Sequence, residues 1–258
     1  MATSTNTAEA PVKARRTWSL AIAAAACAAA LVGAAPASAS GVVHGTAQHL
    51  VRHVAHSTSS NWAGWDNTGA TYTSVSASWV QPSVTCGRKE TSYSSFWIGL
   101  DGDGSNSVEQ TGSEVDCSRG TPVYYSWYEF YPAYPVNYTD TVKAGDHFSA
   151  SVTSNGSGKY TLVLSDTTRG WSHTKVGSAP SAANASAEVI AEAPSSNRGV
   201  LPLANFGTIN FTAATVNGHA LGTVATAQSI TMAKGTTVKA SVTGLTNNNA
   251  FAVTWHHA

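Results

Sequence analysis

Two short stretches hold most of the side chains able to do acid–base chemistry. The first is Phe96–Gly112, FWIGLDGDGSNSVEQTG, where Asp101, Asp103, Glu109 and Gln110 are followed closely by Glu114, in a chain with only 14 acidic residues among 258. The second is Ala187–Pro194, AEVIAEAP, with Glu188 and Glu192 four apart. Side chains alternate across a strand, so Glu188, Ile190 and Glu192 share one face while Val189 and Ala191 take the other. A carboxyl beside an apolar neighbour is partly desolvated, which penalises its charged form and suits it to general acid or base work. The competing readings are a solvated polar hairpin for the first stretch and two exposed Glu on an outer strand for the second. A Ser-His-Asp triad is allowed by counts, with His147, His173 and His219 available, but there is no G-x-S-x-G elbow and none of these His has a distinctive context. The aromatic residues Trp62, Trp65, Trp79, Trp97, Trp127, Tyr128, Tyr131 and Tyr134 either fill a core or line a groove for an extended peptide or a glycan.

The elements that must carry these residues are strands. Phe96–Gly112 reads as strand, tight loop, strand, because aromatic and β-branched residues favour strands and Gly, Asn and Asp favour turns. Further strands are expected over Tyr72–Val80, Val123–Tyr131, His147–Thr153, Tyr160–Leu164, Asn205–Phe211, Val238–Val242 and Phe251–Trp255, bounded by breaks such as Gln81-Pro82 and Asn155-Gly156-Ser157-Gly158. No window holds a 3.6-residue period with caps. The fold class is therefore all-β, a sandwich or barrel.

Residues 1–39 have the pattern of a signal peptide. Lys13, Arg15 and Arg16 precede an Ala-rich apolar run, Trp18–Val32, and Ala37-Ser38-Ala39 supplies an A-x-A cleavage site. The run is short for a membrane span and no later stretch is apolar enough to be one, so the mature chain is expected to be secreted, extracellular and away from the membrane. Residues 40–56, with His44, His49, His53 and His56, read as a short propeptide or a mobile arm, and 57–258 as a single all-β domain. From Ser40 onward the chain has 11 basic and 13 acidic side chains, which lacks the basic footprint of a nucleic-acid binder. Cys86 and Cys117 are the only cysteines outside the leader, and in an oxidising compartment they are expected to form a disulfide. One cysteine pair without His at ligand spacing is too few for zinc.

Taken in order, Ser59-Ser60-Asn61-Trp62-Ala63-Gly64, Trp97-Ile98-Gly99-Leu100-Asp101-Gly102, Gln110-Thr111-Gly112, Trp127-Tyr128-Glu129-Phe130-Tyr131-Pro132, Ala187-Glu188-Val189-Ile190-Ala191-Glu192 and Asn205-Phe206-Gly207 resemble the motif set of the glutamic peptidases, the eqolisin family of acid endopeptidases. The likeness runs from about residue 57 to about residue 212. It implies an antiparallel β-sandwich of two large sheets and a catalytic dyad of Gln110 and Glu192, the second acid of its motif rather than Glu188. It also implies that Trp62, Asp101 and Glu129 lie near the cleft, with Glu114 matched more loosely. Trp97, Trp127 and Tyr131 complete the expected substrate groove. Val189 stands where the family has Trp, a change expected to reshape that groove.

In this reading ionised Glu192 takes a proton from a water that attacks the scissile carbonyl, and Gln110 orients the water and stabilises the oxyanion. No metal or organic cofactor is required, the substrates are polypeptides, and a monomer is expected. The rivals are a carbohydrate-binding sandwich without catalysis and a glycosidase pairing Glu109 or Glu114 with Glu192. Gln110 discriminates, because a glycosidase needs two carboxylates and a lectin needs neither member.

Overall fold

The computed structural model describes residues 58–258; the signal-peptide and arm readings over 1–56 lie outside the described residues. The chain forms β1 (Thr58–Ser59), β2 (Trp62–Thr68), β3 (Ser74–Val80), β4 (Ser92–Leu100), β5 (Val108–Ser118), β6 (Thr121–Tyr131), β7 (Val136–Asn137), β8 (His147–Ser154) and β9 (Lys159–Asp166). It continues with β10 (Trp171–Ser178), β11 (Ser186–Glu192), β12 (Ser195–Ser196), β13 (Gly199–Val200), β14 (Thr208–Val216), β15 (His219–Ala220), β16 (Ala227–Lys234), β17 (Thr237–Val242) and β18 (Phe251–Trp255). A 3-10 turn at Leu221–Thr223 is the only helical element among the described residues. Besides five two-residue strands, three longer ones went unmarked in the sequence for one reason, the absence of a clear apolar alternation. β2 contains Gly64, Asp66 and Asn67, β10 (WSHTKVGS) is half polar, and β16 mixes Gln, Ser and Thr with its apolar residues.

One hydrogen-bonded path runs β10-β9-β8-β3-β14-β18-β17-β16-β2-β11-β4-β5-β6-β7, antiparallel throughout, with β1 added parallel to β16. The path folds back on itself, so that β3, β8, β9 and β14 lie against β4, β5 and β11. Between the two layers sits the main core. Phe96, Ile98, Leu100, Val115, Val189 and Ala191 come from one side, and Trp79, Phe148, Val152, Leu162, Leu164 and Phe211 from the other. Each large apolar side chain so buried contributes about 1.5–3 kcal/mol. Trp79 ties the layers, stacking on Phe148 with ring centroids 5.7 Å apart and donating its indole N–H to Ser113 Oγ at 2.8 Å. Cys86 and Cys117 form the expected disulfide, joining the loop before β4 to the end of β5.

Val189 belongs to this inter-layer core. It lies beside Ile98 and Trp65 in register and is fully buried, on the face opposite Glu188 and Glu192. The expectation that Val in place of Trp reshapes the groove is therefore corrected, because strand alternation turns position 189 away from the acidic face.

Candidate active site

The antiparallel register of β2, β11, β4, β5 and β6 lines up the outward face of this sheet in three rows. The first reads Asp66, Glu188, Gly99, Gln110, Glu129. The second reads Gly64, Ile190, Trp97, Gly112, Trp127, and the third Trp62, Glu192, Ser95, Glu114, Tyr125. Gln110 and Glu192 thus share a face, two strands and four residues apart in register, about 17 Å between Cα atoms on a flat sheet of ordinary spacing. Trp97, on the strand between them, separates their rows.

The middle row is a hydrophobic floor. Trp62, Trp97, Val108, Trp127, Ile190 and Ile230 form a second apolar cluster, separate from the main core, with Tyr125 and Tyr131 packed on its margin. Trp62 meets Trp97 edge to face, centroids 5.1 Å apart at 76°. Glycine makes this floor possible. A Cβ on Gly112 would come within 2.7 Å of Trp97 Cβ, and one on Gly102, whose φ is +121°, within 2.9 Å of the Trp62 ring.

On that floor the polar groups are ordered. Glu192 is fully buried, and both its oxygens accept hydrogen bonds: Asn61 Nδ2 donates to Oε1 at 3.1 Å and Trp97 Nε1 to Oε2 at 2.8 Å. Asn61 is itself held by the Ser59 hydroxyl, which also accepts the Trp62 N–H at 3.1 Å. Gln110 is equally buried, and its Nε2 donates to Glu129 Oε2 at 2.7 Å. Its Oε1 is enclosed with no hydrogen-bond partner among the described residues. Ser95 Oγ, in register between Glu192 and Glu114, is in the same condition.

The surrounding carboxyls are held toward their neutral forms. Burial pushes Glu114 well above the usual carboxylate range, with the charges of Asp116 and Glu192 adding to the effect and the Tyr125 hydroxyl opposing it. Asp116, to which Tyr125 donates at 3.0 Å, rises to about 7, again by burial. At the other end of the sheet burial raises Glu188 strongly, with Asp66, Asp101 and Asp103 nearby. Asp66 reaches about 8 through burial and its neighbour Asp103, against a 3.2 Å hydrogen bond from Gln228.

Of the groove residues expected from sequence, Trp62, Trp97, Glu114, Trp127, Glu129 and Tyr131 all lie on the Gln110–Glu192 face. Asp101 sits past the end of β4, where its carboxylate accepts the backbone N–H groups of Asn184 and Ala185 at 2.9 and 2.7 Å. Its position is that of a strand-end clamp. Glu109, offered as a glycosidase acid, faces the inter-layer side beside Asp101 and is pushed up to about 8 by burial. His147, His173 and His219 lie on β8, β10 and β15, in the other layer. The partners Asn61 and Ser95 were not singled out from the sequence. Asn61 adjoins Trp62 in a motif that was, and Ser95 carried no signal.

Residues 60–255 match the Peptidase A4 family. Aspergillopepsin-2 of Aspergillus niger is 32% identical over 189 residues, covering 64% of this chain and 67% of that protein. The crystal structure of scytalido-glutamic peptidase with a transition state analog inhibitor superposes with a TM-score of 0.67 at 25% identity, over 76% of this chain and 98% of that one. The structure of aspergilloglutamic peptidase from Aspergillus niger gives 0.57 at 25% identity, over 64% and 99%. With Gln and Glu brought to one aromatic-floored face of the same fold, the chain belongs to the Peptidase A4 family, the glutamic peptidases, and is an endopeptidase.

Proposed function

We propose that Glu192 and Gln110 are the working dyad of this endopeptidase and that it acts outside the cell in acid. The observation that carries the reading is the complementary state of the two side chains. Glu192 is fixed by two donors, Asn61 and Trp97, neither of which can take a proton from it, so its carboxylate is oriented while staying able to act as a base. Gln110 is fixed through its amide nitrogen by Glu129, which turns its unpartnered Oε1 to the site as an acceptor for water.

In the reaction, Glu192 removes a proton from the water held by Gln110 Oε1, and the oxygen attacks the scissile carbonyl. The second N–H of the Gln110 amide stabilises the developing oxyanion. Protonated Glu192 then passes its proton to the departing amine, restoring the carboxylate. The neutral carboxyls Glu114 and Asp116 keep further negative charge away from the oxyanion. The Trp floor excludes water and supports an extended substrate chain. Secretion is supported by the leader-like first 39 residues and by the disulfide. The residues named here need no metal.

The test is hydrolysis of a denatured protein between pH 2 and 7 by wild type, Glu192→Ala and Gln110→Ala, with EDTA and a serine-protease inhibitor present. Acid-limited cleavage that resists both reagents and disappears in both variants is expected. Cleavage retained by either variant would remove that residue from the dyad.

A further inference from the structure

One cavity is unlike the rest of the site. It has a volume of about 550 Å³, and its lining includes Ser60, Arg198, Leu201, Lys234, Lys239 and Ala258, so three cations face it beside the single α-carboxylate of Ala258. Among the described residues none of the three is ion-paired; the ion pairs there join Arg169 to Asp146 and Asp166, and His173 to Asp140. Lys239 is only 6% exposed, and burial followed by the charge of Lys234 pulls its pKa below the ordinary lysine value. A buried ammonium flanked by like charge and held in no ion pair, with three cations to one α-carboxylate around it, is an unfavourable arrangement that a bound anion relieves.

The cavity adjoins the dyad. Ser60 lines it and immediately precedes Asn61, the donor to Glu192 Oε1. Asn61 O accepts the backbone N–H of Ala193 at 2.8 Å, directly after Glu192. The hairpin of β12 and β13, which carries Arg198 at its turn, begins three residues beyond Glu192. An extended substrate advances ~3.3 Å per residue, so a chain lying over Glu192 reaches the cavity within a few residues of the cleaved bond.

We propose that this cavity is a substrate subsite that takes an anionic group of the polypeptide, a side-chain carboxylate or a phosphoryl group, a few residues from the scissile bond. The inference rests on Glu192 marking the catalytic end of the cleft. Arg198 offers the planar fork that pairs with either anion, and Lys239 supplies a point charge from beneath. The two anions differ in acid, where an ordinary Asp near pH 4 is half neutral and a phosphoryl group keeps its charge.

The experiment uses a neutral reference peptide and a series carrying Asp, phosphoserine or Asn at each position out to five residues on both sides of the cleaved bond, assayed at pH 3 and pH 5. A rise of about tenfold in kcat/KM is expected for anionic peptides at one or two adjacent positions, with Asp matching phosphoserine only at pH 5. In Arg198→Gln/Lys239→Met the preference should vanish while the reference peptide is cut as before; Arg198→Gln/Lys234→Gln, at exposed positions, gives the same comparison if the buried substitution impairs folding. Binding of fluorescent Asp, phosphoserine and Asn peptides to Glu192→Gln protein is measured in parallel, with tighter binding of the anions expected. Equal rates or equal binding across the series, or a preference that survives both double variants, would overturn the subsite. Failure to cut even the reference peptide would count against the dyad instead, and the binding series would still decide the cavity.

Discussion

The two layers of the sandwich solve the burial problem differently. In the layer without the proposed dyad, β8 and β9 alternate strictly, with Phe148, Ala150 and Val152 or Tyr160, Leu162 and Leu164 facing in and intervening residues, polar apart from Val163, facing outward. In the layer with the dyad, β4, β5 and β11 are buried on both faces; every residue of Ser186–Glu192 is buried. An antiparallel sheet commonly leaves one face solvated. Here the second face is covered instead by Trp62, Trp97 and Trp127 and by carboxyls that share their desolvation, so that Gln110 and Glu192, the proposed dyad, stand in a dry setting where hydrogen bonds and charges act strongly. The lesson is that polar residues in a strand mark water in one layer and chemistry in the other.

Breaking the dyad layer at its centre should give the largest effect. Glu192→Gln, which keeps the shape of the side chain, is expected to lower kcat by at least ~10³-fold while thermal unfolding moves by only a few degrees. A steady-state assay beside a circular-dichroism melt checks this, and a collapse of the melt in step with activity would make Glu192 structural.

Next comes pH. Asp66 and Glu109 are raised to about 8 and Asp116 to about 7, from ordinary values of 3.8, 4.5 and 3.8. Between about pH 4 and pH 8 the folded chain holds protons that the unfolded chain has released, so stability is fully present below the ordinary values and is lost as pH rises through 7 to 8. Each group contributes up to about 1.4 kcal/mol per pH unit in that window. Melting temperature from pH 3 to 9 should therefore fall on the alkaline side, and an increase between pH 4 and 8 would contradict the assignment. All three groups belong to the dyad layer.

Val189→Trp probes the same strand from its other face. It overfills the inter-layer core and is expected to cost roughly 1–3 kcal/mol in urea unfolding, with the pattern of peptide bonds cut unchanged. An altered cleavage pattern at unchanged stability would return position 189 to the groove. The smallest effect belongs to the water-facing side of the other layer. Val176 on β10 is 70% exposed, and Val176→Thr should stay within about 0.5 kcal/mol by the same measurement.

Much of this was legible beforehand. The β8–β9 hairpin shows its period of two and its Asn155–Gly158 turn in the sequence because one face meets water, and the Glu188–Ile190–Glu192 face follows from alternation alone. The Cys86–Cys117 link followed from there being two cysteines outside a leader. The ordered motifs around Trp62, Gln110 and Glu192 carried the family. β2, β10 and β16 were not legible, since tertiary neighbours supply the burial that their composition does not advertise.

What the sequence by itself determined was local: the strand texture, the turns, the side of β11 on which each Glu lies, and, through their motifs, the two residues proposed as the dyad. The tertiary structure decided what surrounds them. Which strands neighbour β11 fixes whether Glu188 and Glu192 are wet or dry, whether Asn61 and Trp97 reach Glu192, and whether Val189 lines a groove or a core. Those outcomes depend on contacts between residues up to 131 apart in the chain, as between Asn61 and Glu192, and sheet register sets such contacts only when all the strands are in place.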